Sequence, residues 1–363
     1  MESSTSPSQS IRVLVVDDSF FMRKMIVEAL NGPGTGLKVV DTASDGLDAL
    51  AKIKTSQPDV LTLDVEMPRL DGLETLARIM AEHPLPVVML SSHTGKGTEA
   101  TLKALESGAV ECVLKPTGGF LGSLKGVEKE LIEKIRLASL CKPRAARFPL
   151  VPAISTPKTP TPSRETWSSL SARFLVCVAS STGGPRALND FFSALKPHPL
   201  AAVLVVQHIS VGFTQALARR LSEVGPLGVT EAGRGERILG GRGYVAPAGN
   251  HLVVEGRVGE FLFQFSDLPP RLGVKPSADV LMTSVAKAAG SKCAGVVLTG
   301  MGRDGTQGLK DIRSVGGVTY AQIAESCVVY GMPKSAMEAG VVSRQLDLVP
   351  MAGEINTLLS VQM

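Results

Sequence analysis

Two adjacent serines, Ser180 and Ser181, stand in "VASSTGGP", between the apolar run "RFLVC" and the segment "RALNDFFSAL", which reads as a helix. A serine at a glycine turn between strand and helix is placed to act as a nucleophile if an imidazole can take its proton and a carboxylate can hold that imidazole. Five histidines are available for the base. His83 and His93 belong to the N-terminal half, and His198 lies between two prolines in a connecting loop. His208 ends the apolar run "AAVLVVQ", and His251 opens "HLVVEG" after a turn. His208 is the better base, because it stands at the carboxyl end of a strand in the same alternation as the serines and so faces the same crevice. For the acid, "VVLTGMGRDG" puts Asp304 just beyond a third apolar strand, in a glycine-rich loop whose N–H groups can face a developing oxyanion. Taken singly, His208 also suits a core imidazole and Asp304 a turn aspartate. Three strand ends that together deliver Ser, His and Asp favour a catalytic triad. The order Ser, His, Asp and the lack of a G-x-S-x-G elbow set it apart from the α/β-hydrolases and point to a different hydrolase scaffold.

A second set of reactive residues lies in the first 140 positions. Asp17 and Asp18 follow "IRVLVV", Asp64 ends "PDVLTLD", Ser91 ends "LPVVMLS" and Lys115 follows "AVECVL". Each has a local explanation as a helix cap or a solvated strand terminator. Converging on one sheet edge, three carboxylates need a hard cation, while Lys and Ser can bind phosphoryl oxygens. Together they make a phosphoryl-accepting site.

Both sets must be positioned by parallel strands. Short apolar runs alternate with amphipathic segments through both halves, the signature of parallel α/β sheets with helices on the two faces. In the second half, "GYVAPAGNHLVVEGRVGEFLFQF" reads as an antiparallel insertion, with turn residues at short intervals. Helices are expected near 185–195, 213–223 and 277–289. Residues 141–170, rich in Pro, Ser and Thr without an apolar period, read as a semi-rigid linker, with Trp167 as a packing anchor at its end. The units are thus 9–140 and 171–363. With 363 residues, 44% apolar, two globular cores are expected. The apolar runs fall short of a bilayer span and the N-terminus has no signal-like h-region, so a cytoplasmic protein without membrane insertion is expected. Five cysteines without a CxxC pair suggest reduced thiols and no structural zinc. A net charge of +4 with no basic block and 4% aromatics does not suggest nucleic acid.

Through "VVDDS", "LDVEMPRLDG", "MLSS" and "LKP", the first unit resembles the response-regulator receiver domain. The resemblance implies a doubly wound flavodoxin-like (βα)5 fold. It also implies that Asp64 accepts a phosphoryl group from a histidine kinase. Mg²⁺ would be held by Asp18, Asp64 and the Glu66 main-chain carbonyl, with Asp17 assisting, and Ser91 and Lys115 would sense the new charge. One departure is Cys112, three residues before Lys115, where receivers often carry a switching aromatic.

The second unit resembles the catalytic domain of the chemotaxis protein-glutamate methylesterases, through "SSTGGP", "VVQHI", "YVAPAGNH", "PSADVLMTSVAKAAG", "LTGMGRDGTQGL" and "AQIAESCVVYGMPKSAMEAG". This implies a doubly wound, mostly parallel α/β domain with an antiparallel hairpin insertion. In it Ser181 would be the nucleophile, His208 the general base and acid, and Asp304 the orienting acid. Thr182, His251 and Met301 would lie in or near the site, with the Met301 N–H as an oxyanion donor and no metal or other cofactor. Ser180 replaces the usual small apolar residue, and "HIS" stands where "HMP" is common. The implied activity is hydrolysis of glutamate methyl esters, and deamidation of glutamines, on methyl-accepting chemoreceptors. A receiver covering the crevice until Asp64 is phosphorylated would regulate it. Two rivals are a receiver with a nucleic-acid-binding output and a catalytically weak adaptor that binds receptors. The modest charge opposes the first, and the intact Ser181, His208 and Asp304 set opposes the second.

Overall fold

The computed structural model describes residues 10–92, 95–115, 124–141 and 170–362. The chain divides into two compact units, Met1–Phe148 and Pro149–Met363. The expected linker, apart from Cys141 and Leu170 at its ends, lies outside the described residues, as do Trp167 and His93.

In the first unit, strands β1 (Ile11–Val16), β2 (Leu37–Ala43), β3 (Val60–Asp64), β4 (Val87–Ser91) and β5 (Glu111–Leu114) form one sheet. The order is β2-β1-β3-β4-β5, and every pairing is parallel. Helices α1 (Phe20–Leu30), α2 (Gly46–Ser56), α3 (Gly72–Glu82), α4 (Gly95–Glu106) and α5 (Leu124–Ser139) alternate with them. Val13, Leu14, Val15 and Val16 are all buried, as a strand covered on both faces requires. Ser19, Asp45 and Asp71 accept hydrogen bonds from first-turn N–H groups of α1, α2 and α3, so each helix starts just past a strand's carboxyl end.

In the second unit the main sheet contains β6 (Phe174–Ser180), β7 (Ala201–Gln207), β8 (Gly228–Glu231) and β9 (Arg242–Val245). After the separate hairpin of β10 (His251–Glu255) and β11 (Leu262–Ser266), it is completed by β12 (Cys293–Val297), β13 (Val318–Gln322) and β14 (Arg344–Leu346). The helices are α6 (Gly184–Ala194), α7 (Thr214–Val224), α8 (Ala278–Ala289), α9 (Thr306–Ser314), α10 (Met332–Glu338) and α11 (Leu348–Gln362). The main sheet runs β14-β13-β12-β6-β7-β9-β8, with all pairings parallel. On one side of the β6–β12 junction β6 is followed outward by β7, β9 and β8, and on the other β12 is followed by β13 and β14. The strand order therefore reverses between β6 and β12, and a crevice opens there at the carboxyl ends.

The structure narrows the expected antiparallel insertion. Only β10 and β11 form it, while β9 pairs in parallel with both β7 and β8. The reason is burial: Tyr244 and Val245 on β9 are fully covered, which suits a central parallel strand. At Gly243 an added Cβ would lie 2.9 Å from Val229 Cγ2, so the close strand packing needs glycine. Beyond β12, the strand expected ahead of Asp304, the alternation continues through α9, β13, α10, β14 and α11.

The hairpin is tied to the sheet by its aromatics. Tyr244 and Phe263 meet edge to face with ring centroids 5.0 Å apart, and both are fully buried. Phe263→Ala is expected to cost about 3–5 kcal/mol of stability. Urea unfolding of the full chain, followed through the second unit's transition, measures it; a loss below about 1 kcal/mol would show that the hairpin is not part of that core.

Candidate functional site

Strand pairing assembles the candidate residues. Ser180 at the end of β6 is in register with Gln207 at the end of β7, and His208 N–H donates to Ser180 O at 3.0 Å. On the other side of β6, Ser181 N–H donates to Thr299 O at 3.0 Å, bringing in the loop that follows β12. Ser181, His208 and the loop carrying Asp304 therefore meet at the point where the strand order reverses.

The two serines are distinguishable by geometry. Ser180 is fully buried and its hydroxyl donates to Gln207 Oε1 at 2.7 Å. Gln207 Nε2 in turn donates to the carbonyls of Ser181 and His208, both at 2.9 Å. Ser181 is partly exposed. Behind it, Gly183 takes a left-handed φ of 74° and ends the turn into α6. An added Cβ on Gly184 would sit 1.9 Å from Gln207 Oε1, so this close approach requires glycine.

His208 Nε2 lies 2.9 Å from Asp304 Oδ2. Asp304 is buried and accepts three further bonds: Ser277 Oγ at 2.7 Å, Ala278 N–H at 2.6 Å and Asp279 N–H at 3.1 Å. Burial pushes its carboxyl up, but the bonds from His208, Ser277 and Asp279 outweigh that and hold it below the ordinary value. The carboxylate can only accept, so His208 Nε2 carries the proton, and in the neutral imidazole Nδ1 presents its lone pair. Among the described residues Ser181 Oγ makes no hydrogen bond to His208; the paired strand ends are what bring the two residues together.

The remaining residues implied for this site fall in different places. Met301 is 59% exposed on the loop after β12, and an added Cβ on the neighbouring Gly300 would lie 2.7 Å from Ser181 Cβ, so this loop runs hard against the serine. Thr182 is buried, and its carbonyl accepts from Thr299 Oγ1 at 2.9 Å. His251 is fully buried behind the site: Nδ1 accepts from Ser277 N–H at 3.1 Å and Nε2 donates to Pro269 O at 3.1 Å. It touches Asp304 only through Ser277. Sequence reasoning assigned no part to Gln207, Ser277, Asp279 or Thr299. "QH" and "PSAD" contain three of them, but the signal is a set of hydrogen bonds between elements distant in sequence.

In the first unit, Asp17, Asp18 and Asp64 bring one carboxylate oxygen each to within 4.8 Å of one another. Lys115 Nζ lies 2.7 Å from Asp64 Oδ2 and 2.8 Å from Asp17 Oδ2. One ammonium thus faces two buried carboxylates, and Asp17 Oδ2 has no well-aligned hydrogen-bond donor. Burial pushes the Asp64 carboxyl up, Lys115 pulls it down and Asp17 pushes it up again, leaving it at about 6. Burial lowers the Lys115 ammonium, but the two carboxylates more than offset this and hold it above its ordinary value. The surplus negative charge and all-oxygen donor set fit a hard divalent cation. A cleft lined by Asp18, Glu66, Met67 and Asp71 opens beside them. Ser91 Oγ donates to Gly97 O at 3.2 Å, at the start of α4. Cys112 is buried, which pushes its thiol up to about 12. All five cysteines are free, with Cys327 half-buried and the others buried. No helix among the described residues is long and apolar enough to cross a membrane.

Both units resemble known proteins. Residues 176–355 match the model of the CheB methylesterase family, and residues 13–119 match the response regulator receiver domain. The protein-glutamate methylesterase/protein-glutamine glutaminase of Symbiobacterium thermophilum is 43% identical over 95% of this chain and 96% of its own length. That of Geobacillus kaustophilus is 43% identical over 97% of this chain and 99% of its own. Among solved structures, the Thermotoga maritima CheB methylesterase catalytic domain is 36% identical, covering 52% of this chain and 99% of that one, with a TM-score of 0.49.

The acidic cluster yields a titration test. Folding raises the Asp64 carboxyl from the ordinary 3.8 to about 6 and so favours its protonated form. This contribution is fully present below the unfolded value and is lost as pH rises through 6, so metal-free protein should lose stability over that window. Millimolar Mg²⁺ should move the Asp64 midpoint down, because a dication favours the carboxylate. Carbon-13 NMR of the Asp64 side chain reads both midpoints; one that Mg²⁺ leaves in place would argue against a cation site here.

Proposed function

The chain belongs to the CheB methylesterase family, with a receiver domain in front, and we propose that its catalytic centre is Ser181, His208 and Asp304. The protein is a protein-glutamate methylesterase and protein-glutamine glutaminase of chemotaxis, regulated by phosphorylation. The observation that carries the site assignment is the fourfold-bonded Asp304 carboxylate facing His208 Nε2, which leaves Nδ1 as the proton acceptor.

In this reading His208 Nδ1 takes the proton of Ser181 Oγ as the oxygen bonds to the carbonyl carbon of a glutamate methyl ester or a glutamine amide. The charge on the carbonyl oxygen is met by the Met301 N–H and by the N-terminal end of α6, which starts just after Ser181. As the carbon–oxygen or carbon–nitrogen bond breaks, His208 Nδ1–H protonates the departing methanol or ammonia. Water then attacks the acyl-serine with His208 again as base, releasing glutamate and restoring the Ser181 hydroxyl. Asp304 remains ionised throughout and stabilises the imidazolium. The substrates are methyl-accepting chemoreceptors, reached from the cytoplasm.

Asp64 receives the phosphoryl group from a chemotaxis histidine kinase, with Lys115 binding a phosphoryl oxygen. Asp17, Asp18, Asp64 and the Glu66 carbonyl would hold Mg²⁺, which neutralises phosphoryl charge during transfer. Ser91 then exchanges Gly97 O for a phosphoryl oxygen, a change that needs no switching aromatic at Cys112.

Methanol release from methylated receptors tests the triad. Ser181→Ala should abolish it and Ser180→Ala should leave most of it, since only Ser181 is partly open to substrate. His208→Ala should lower turnover by about 10²–10⁴-fold. Equal losses in the two serine variants, or near-normal turnover without His208, would overturn the assignment.

Regulation has its own test. A small-molecule phosphodonor with Mg²⁺ should accelerate wild-type hydrolysis, while Asp64→Asn should remove the response and keep resting turnover. An Asp64→Asn protein that still responds would move the phosphorylation site elsewhere.

A further inference from the structure

Asp279 lies in the first turn of α8, yet its carboxylate serves α9. Oδ1 accepts from Gly305 N–H and Gly308 N–H, each at 2.9 Å. Asp304, just ahead of α9, does the reverse for α8: it accepts from Ser277 Oγ, Ala278 N–H and Asp279 N–H. Neither Ser277 nor Gly305, the residues at the two N-caps, gives its own helix a side-chain cap. Each helix start is therefore closed by the other's aspartate, and the two carboxylates are held against their mutual repulsion by five backbone and hydroxyl donors.

This crossed arrangement matters because the Asp304 carboxylate is set by both helix starts. Its own backbone leads into Gly305, which has a left-handed φ of 92°, and Gly302 upstream has a φ of 88°. Glycine-rich backbone has little stiffness of its own. The Asp279 bonds pin its carboxyl-terminal end, while the donors that orient the Asp304 oxygens stand on the helix that bears Asp279. Asp279 Oδ2 is engaged separately by Arg271 Nε at 3.3 Å, a pair in which the arginine is half-exposed and the aspartate buried.

We propose that Asp279 is a positioning residue for ester hydrolysis: by pinning the start of α9 through Oδ1, it fixes the Asp304 carboxylate on His208 and the Met301 loop beside Ser181, without touching substrate. The inference rests on the proposed Ser181, His208 and Asp304 centre. It predicts a defect in turnover rather than in substrate affinity, because misplacing reacting groups by about 1 Å can cost about 10²-fold. It also predicts that the acceptor oxygen is what counts. Asparagine keeps Oδ1 for both N–H donors but turns an uncharged amide NH2 toward Arg271 in place of the acceptor.

The test measures kcat and KM for methanol release by full-length Asp279→Ala, Asp279→Asn, Arg271→Ala and Asp304→Ala, per mole of protein folded by near-ultraviolet circular dichroism. Asp279→Ala should lose kcat by roughly 10- to 100-fold with KM unchanged, while Asp279→Asn recovers most of that loss and Arg271→Ala stays near wild type. A wild-type kcat in Asp279→Ala overturns the proposal, as does a loss confined to KM or an equal loss in Ala and Asn. Should Asp279→Ala fail to fold, Asp279→Ser, with one acceptor on a shorter stem, is expected to give an intermediate kcat; an unimpaired kcat there is equally decisive against it. Asp304→Ala separates the two levels: if it turns over normally, the triad reading fails, whereas its loss beside an unimpaired Asp279→Ala sinks only the positioning role.

Discussion

A buried carboxylate with no water around it is tolerable only when its oxygens are bonded, and the catalytic unit is organised around meeting that condition for Asp304. Its four donors come from His208, from the Ser277 hydroxyl and from two N–H groups at the start of α8. Three of the four are supplied by a helix that follows the β10–β11 hairpin. The hairpin, far from being an ornament on the sheet, leads the chain to where α8 can present those donors. His251, on the first of its strands, anchors Ser277 from behind. Asp304 thus joins three parts of the fold that have no contact in sequence, and their hydrogen bonds hold its carboxyl below the ordinary value.

Ser181 is held by a different kind of constraint. Gln207 bridges the ends of β6 and β7, taking a bond from the Ser180 hydroxyl and giving two to the Ser181 and His208 carbonyls. A small apolar residue in place of Ser180 would leave the Gln207 Oε1 without that donor. The Ser180 hydroxyl thus adds a buried hydrogen bond to the same clamp. The room for it exists because Gly184 presses its bare Cα against the glutamine.

In the receiver the balance is reversed. Lys115 is one cation shared by two buried carboxylates, so the cluster carries unneutralised charge. The same burial that closes the core raises Asp64 to about 6. Where the second unit satisfies Asp304 completely within the protein, the receiver leaves capacity for a cation. Completed bonding suits a residue that must stay put, and incomplete bonding suits one that must react and signal.

Period and residue type in the sequence were enough to give two parallel α/β units, their strand ends, and the acidic, Ser and Lys residues gathered at one edge of the first. They hold this information because a strand buried on both faces must be apolar along its length, and a ligand group can then appear only where the strand stops. The same logic selected His208, Asp304 and the pair Ser180 and Ser181 as candidates, and the family resemblance chose Ser181 between the two serines. It left β9 in the wrong sheet, since an apolar run of that length suits a hairpin or a parallel strand equally, and only the packing of Gly243 between neighbours decides. Nor did it reveal the reversal of strand order between β6 and β12, the Gln207 clamp, the burial of His251 or the crossed caps of α8 and α9. Strand order and hydrogen-bond partners depend on which distant segments meet. Residues such as Asp279 and Asp304 stand 25 positions apart with nothing in their local pattern to mark them as partners. The tertiary structure decided those pairings because a buried donor or acceptor must find its match wherever the fold brings one.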